Sequence, residues 1–132
     1  MPATSALARP VRLLLVEDNP RDARLVEIAL SEAPAFRHEL HRAASLTQAR
    51  ARLGGMDAIL LDLGLPESQG VPTLKALLPD ARGVPIVVLS GQSDDESEWE
   101  AMQAGARGYL PKNHLTAAAL VTKIEAALRR PA

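Results

Sequence analysis

Asp62 closes the apolar run 57–61 and opens the turn-rich stretch Leu63-Gly64-Leu65-Pro66-Glu67-Ser68-Gln69-Gly70. Other reactive groups stand at equivalent places: Glu17 and Asp18 follow the run 12–16, Ser90 follows 84–89, and Lys112 comes just after Gly108-Tyr109-Leu110. If those runs are parallel strands of one sheet, their exits converge on the edge where open α/β sheets bind ligands. Three carboxylates gathered there repel one another, and a divalent cation relieves that cost. An all-oxygen set of two or three carboxylates suits Mg²⁺, which keeps waters and shares its shell with phosphate oxygens. Asp18 and Asp62 are the expected direct ligands, and Glu17 acts directly or through water.

A carboxylate can also attack phosphorus to give an aspartyl phosphate. The transition state spreads negative charge over the phosphoryl oxygens, so a cation and fixed hydroxyl or ammonium donors lower its energy. Asp62 is the expected nucleophile, Ser90 a hydrogen-bond donor to the phosphoryl group, and Lys112 its positive partner. Before phosphorylation Lys112 should pair with Asp62. Each residue has a plainer reading alone: exposed carboxylates are common, a serine can cap a strand end, and a lysine can simply be solvated. Five positions agreeing on one edge favour the chemical reading.

The elements that must position these groups are legible as an alternation. Runs 12–16, 57–61 and 84–89 are nearly continuously apolar, as in strands covered on both faces, while Phe36 to Ala43 suits an edge strand. Asn19-Pro20 predicts a helix start before Arg21 to Ala33, with Leu25, Ile28 and Ala29 as its inward stripe. Ser45-Leu46-Thr47-Gln48 and Ser93-Asp94-Asp95-Glu96 have capping-box spacing. Gly54-Gly55 and Gly105 are the corresponding helix stops. Pro72 and Pro79 bracket a short helix, and Leu120, Ile124 and Leu128 mark the face of the last one. Five β/α units with right-handed crossovers give an α/β fold with helices on both sheet faces.

The 132 residues make one ordinary domain, able to bury a core without disulfides and leaving little room for a second module. Zero cysteines exclude thiol chemistry, and no signal peptide or membrane-length apolar run is present, so the cytoplasm is the default location and no membrane insertion is expected. A net charge of −1 with one Phe, one Tyr and one Trp gives neither a nucleic-acid footprint nor a stacking platform. Residues 1–10 read as a flexible arm, 11–130 as the domain and 131–132 as a tail. Trp99 and Met102, at i and i+3, are expected to form a helix packing patch. His38, His41 and His114 do not make a metal site, and no glycine fingerprint for a nucleotide is present, so an ATP-driven kinase is a poor reading.

The runs Leu14-Leu15-Val16-Glu17-Asp18-Asn19-Pro20, Leu60-Leu61-Asp62-Leu63-Gly64-Leu65-Pro66, Val87-Val88-Leu89-Ser90-Gly91 and Ala104-Gly105-Ala106-Arg107-Gly108-Tyr109-Leu110-Pro111-Lys112 occur in this order. Together they resemble the bacterial two-component response-regulator receiver domain over roughly residues 11–130, here expected to stand alone. The resemblance implies a flavodoxin-like, doubly wound (βα)5 fold with a five-stranded parallel sheet in the order 2-1-3-4-5, flanked by five helices. It implies Mg²⁺ held by Glu17, Asp18, Asp62 and the backbone carbonyl of Gly64. Phosphotransfer from a partner's phosphohistidine, on a sensor histidine kinase or a histidine phosphotransfer protein, is implied too, followed by autodephosphorylation. Ser90 and Tyr109 fall at the switch positions, Gly64 and Gln92 at those that tune phosphate lifetime. A downstream protein effector, or a homodimer, would read the face formed by residues 94–129.

One departure concerns Pro111-Lys112-Asn113, which replaces the family's Lys-Pro pair, so the cis prolyl bond after the lysine cannot form. That change motivates an alternative, a receiver-like interaction module independent of phosphorylation. A flavin-binding domain of similar architecture is a third reading, opposed by the clustered acids and the few aromatic residues.

Overall fold

The computed structural model describes residues 9–91 and 94–129. Five parallel strands form the main sheet: β1 (Val11–Val16), β2 (His38–Ala43), β3 (Ala58–Asp62), β4 (Ile86–Ser90) and β5 (Gly108–Pro111), in spatial order β2-β1-β3-β4-β5. Helices α1 (Pro20–Ser31), α2 (Leu46–Ala51), α3 (Val71–Ala81), α4 (Asp95–Ala104) and α5 (Ala117–Arg129) alternate with them. The alternation of five β/α units is as the pattern predicts, and the flavodoxin-like strand order is the one that the family resemblance implies.

Strand alternation divides the core in two. Leu13, Leu15, Ala58, Leu60, Val87, Leu89 and Leu110 face α1 and α5, where they meet Ala23, Val26, Leu30, Leu120 and Ile124. Leu14, Val16, Ile59, Leu61, Ile86, Val88 and Tyr109 face α2, α3 and α4. The central strands are apolar on both sides because both sides are covered.

That parity also aims the strand exits. Leu15 pairs with Leu60 and Val16 with Leu61, so the same register carried one residue further sets Glu17 beside Asp62. Both have the parity of Leu13, Leu15 and Leu60, which point toward α1 and α5. Lys112, two residues beyond Leu110, arrives from the same side.

Local signals account for most helix ends. The Asn19 side chain accepts hydrogen bonds from the Arg21 and Asp22 amides, with Pro20 in the first turn. Ser45 caps α2 by accepting from the Gln48 amide, and Gln48 in turn accepts from Ala44 N. Gly105, at φ 124°, ends α4. The cap of α4 is Asp94, which accepts from Ser97 N at 2.7 Å; Ser93 and Gln92 lie outside the described residues.

Several expectations are corrected. Leu25 and Ile28 are 51% and 39% exposed, because α1 turns Ala23, Val26, Ala29 and Leu30 to the sheet. Leu128 is likewise exposed, and Ala127 takes its place beside Leu120 and Ile124. Trp99 is 63% exposed, so it forms no packing patch, whereas Met102 does lie against the core. Pro79 sits inside α3, which runs on to Ala81. Helix α2 ends at Ala51, and Gly55, at φ 80°, instead shapes the turn into β3. A short antiparallel hairpin, Gly64–Leu65 with Ser68–Gln69, follows β3 and was not foreseen.

Residues 1–8 and 130–132 lie outside the described residues, but the end of the expected arm is tied down. Arg9 donates to both carboxylate oxygens of Asp57 at 2.9 Å, and the Arg12 amide donates to the same carboxylate at 2.8 Å. Arg9 above all holds the Asp57 pKa below its ordinary value, with burial opposing and the Arg12 amide assisting. A depressed folded-state value means stability that is fully present above the ordinary Asp range and lost as pH falls through the depressed value. Asp57→Ala should therefore cost about 1 kcal/mol at pH 7, discounted for partial solvation, and progressively less as pH falls below the ordinary Asp range, as read by urea unfolding across a pH series.

Candidate functional site

The carboxyl edge of the sheet holds a cleft of about 620 Å³ lined by Glu17, Asp18, Asp62, Gly64, Ser90 and Lys112 among others. Glu17, Asp18 and Asp62 each offer a carboxylate oxygen, and these oxygens lie within 4.8 Å of one another. Glu17 is 1% exposed and Asp62 4%. The backbone at Glu17 continues the ladder, its amide donating to Ala43 O at 2.9 Å. Arg42 of β2 then forks onto the two carbonyls of the acidic pair, Nε to Glu17 O and Nη2 to Asp18 O, both at 3.0 Å. The loop carrying the acids is thus held by strand pairing on one side and a guanidinium on the other.

Burial is the largest cause that pushes Glu17 up to about 7, reinforced by a hydrogen bond shared with Asp62 and offset by Lys112. Burial and the neighbouring carboxylate both disfavour the ionised form of Glu17. The ammonium of Lys112 lies 3.0 Å from Glu17 Oε1, 3.2 Å from Asp62 Oδ1 and 2.8 Å from Asp22 Oδ2. Burial pulls the Lys112 pKa down, but hydrogen bonds to Asp22 and Glu17 and the charge of Asp62 outweigh it and raise it. Lys112 is a fixed cation across the neutral range.

Pro111 has φ −63° and ψ 140° and leads into a single 3₁₀ turn, Lys112–His114. Every peptide bond among the described residues is trans, yet the ammonium still reaches Asp62. Ser90 is buried at the end of β4, its Cα paired with Pro111 across the ladder. Gly64 N donates to Asp62 Oδ1 at 3.1 Å, and a Cβ at this glycine would stand 3.8 Å from that oxygen, so no side chain of residue 64 lies against the buried carboxylate. Tyr109 is buried, 2% exposed, against the α2–α4 side. Glu17, Asp18, Asp62, Gly64, Ser90 and Lys112 thus line one cleft, whereas Tyr109 lies in the core on the other face of the sheet and Gln92 lies outside the described residues.

Two participants escaped the sequence reading. Asp22 gives Lys112 its shortest contact, and the available signal was an acid in the first turn of a helix that begins at the acidic exit. Arg42 carried no such signal, since only the pairing of β2 with β1 brings it to the loop.

The donors are all oxygen, two of them buried, and they bear more negative charge than one lysine neutralises, a set suited to a divalent cation. A doubly wound sheet with clustered acids, a hydroxyl and an ammonium at its switch-point edge defines a phosphoryl-handling signalling domain rather than a nucleotide-binding one. The chain matches the response regulator receiver domain over residues 13–125 and belongs to that family.

Among curated relatives, it is 28% identical over 120 residues to the cell cycle transcriptional regulator CtrA of Caulobacter vibrioides, covering 91% of this chain and 51% of that protein. It is 32% identical over 125 residues to the KDP operon transcriptional regulatory protein KdpE of Escherichia coli, covering 89% and 51%. The chain spans about half the length of these relatives. Among solved structures, a response regulator from Chloroflexus aurantiacus superposes with a TM-score of 0.78 at 30% identity, covering 92% of this chain and all of that one. The chemotaxis protein CheY4 of Vibrio cholerae shares the fold, with a TM-score of 0.74 at 24% identity over 90% and 99% of the two chains. No described helix is long and apolar enough to cross a membrane.

A raised Glu17 value means that the stability tied to its protonated form is complete below the ordinary carboxylate range and lost as pH rises through 7. Asp62→Asn removes the neighbouring charge and the hydrogen bond that Asp62 makes to Glu17, leaving burial opposed by Lys112. The Glu17 midpoint in the metal-free protein should then drop by about one pH unit, which a carboxyl-carbon NMR titration would report.

Proposed function

We propose that Asp62 is the phosphoacceptor of a two-component phosphorelay, taking its phosphoryl group from a partner's phosphohistidine on a sensor histidine kinase or histidine phosphotransfer protein. The observation that carries this reading is the meeting of Lys112 with Asp62 at 3.2 Å inside a cluster of three acids. An Asp62 oxygen forms the new bond to phosphorus as the bond to the histidine nitrogen breaks. The imidazole keeps the electron pair and takes up a proton.

Lys112 and Ser90 hold the transferred group, the first by charge and the second by its hydroxyl. Glu17, Asp18, Asp62 and the Gly64 carbonyl are the ligands for Mg²⁺, which, when bound, offsets charge on the phosphoryl oxygens. Water then attacks phosphorus as the bond to Asp62 breaks, releasing inorganic phosphate and restoring the carboxylate; the absence of a side chain at Gly64 leaves water a path, with Gln92 the other residue assigned to phosphate lifetime.

Output runs through a population shift in which Ser90 and the inward Tyr109 change their preferences. The surface from α4 to α5 is the proposed contact for a downstream protein, or for a second copy, with no direct role for nucleic acid. Trp99 stands exposed on that surface. The phosphorylation-independent alternative drew its support from the altered lysine loop, and that loop still delivers Lys112 to Asp62. No specific observation favours it.

Treatment with acetyl phosphate and Mg²⁺ should add one labile phosphoryl mass to the intact protein. The adduct should be absent without the cation and absent in Asp62→Ala. Equal labelling of that variant would reject Asp62 as acceptor.

A further inference from the structure

The Lys112 ammonium lies against three carboxylates, donating hydrogen bonds to Glu17 and Asp22 and pairing by charge with Asp62, and the shortest contact, 2.8 Å, goes to a residue outside the acidic triad. Asp22 is held by the first turn of α1, where Asn19 caps its amide and the helix dipole favours a negative charge. Leu25, Val26, Leu89 and Leu115 line an apolar cavity on one side of the Asp22–Lys112 pair, which weakens screening between the charges on that side. Both partners are about two-thirds shielded or more, with side-chain exposures of 31% and 27%.

Lys112 and a divalent cation carry the same sign and compete for the same oxygens on Glu17 and Asp62. A lysine with no other partner would have to be expelled to water, or stay and repel the incoming ion. Asp22 removes that choice. Building on the phosphoacceptor reading above, we propose that Asp22 is a positioning residue for Lys112: it retains the ammonium at the rim of the cleft while Glu17 and Asp62 pass to a divalent cation. The ammonium then stays beside Asp62, ready for a phosphoryl oxygen, although the trans loop that carries it lacks the family's Lys-Pro geometry.

Asp22 also attracts a cation by its charge alone, but that effect does not depend on Lys112, so the two are separable. Mg²⁺ affinity measured by titration calorimetry on wild type, Asp22→Asn, Lys112→Met and the double variant forms a double-mutant cycle. Asp22→Asn should raise the Mg²⁺ Kd about tenfold when Lys112 is present and less than about twofold when it is not. Equal losses in both backgrounds would overturn the proposal, as would an unchanged or tighter Kd in the single variant. Asp22→Glu keeps a charged partner and should bind Mg²⁺ within about threefold of wild type; a loss as large as that of Asn would equally overturn it. Acetyl phosphate labelling of wild type is scored apart from this cycle: its absence defeats the phosphoacceptor reading, whereas the affinities test Asp22.

Discussion

The constraint on which the site depends is the repulsion between carboxylates that parallel strand pairing forces together. Strands β1 and β3 are neighbours in register, so Glu17 and Asp62 emerge side by side with the same parity and little water between them. Nothing in the apolar core repays that arrangement. It is tolerated because one ammonium spans Glu17, Asp22 and Asp62 and because Arg42 pins the loop backbone. Such a site carries excess negative charge that a divalent cation could offset.

The rest of the fold can be understood as the frame for that tension. Two apolar layers, one under α1 and α5 and the other under α2, α3 and α4, fix the sheet so that its carboxyl edge cannot relax apart. The acids cannot lower their mutual energy by moving, only by recruiting charge. The helix α1 contributes on both counts: its small residues let it lie close on the sheet, and its first turn supplies Asp22.

Much of this was legible in the chain. Continuous apolar runs ending in Asp, Glu-Asp, Ser and Lys announced both the sheet and its reactive edge, because strand direction alone decides where the exits lie. The failures have physical reasons. On α1, Leu25 and Ile28 attracted attention by size, whereas the spacing Ala23, Val26, Ala29, Leu30 marks the face that touches the sheet. Close approach favours alanine there over larger side chains. Pro79 was read as a boundary, yet a proline near the end of a helix forfeits one hydrogen bond without stopping the last turn. The hairpin after β3 has strands of two residues, too short for any periodicity. Asp22 and Arg42 act through neighbours distant in sequence, Lys112 and the acidic loop, and no local pattern encodes such a meeting.

The central claim is that the acids at the carboxyl edge form one cation site. Substoichiometric Mn²⁺ added to ¹⁵N-labelled protein tests it most directly, since paramagnetic broadening falls off steeply with distance. Amide signals of residues 17–19 and 62–64 should vanish first and return when excess Mg²⁺ is added. Broadening centred instead on the exposed acids of α4, Asp95 to Glu100, with the signals of 17–19 and 62–64 left sharp, would contradict it.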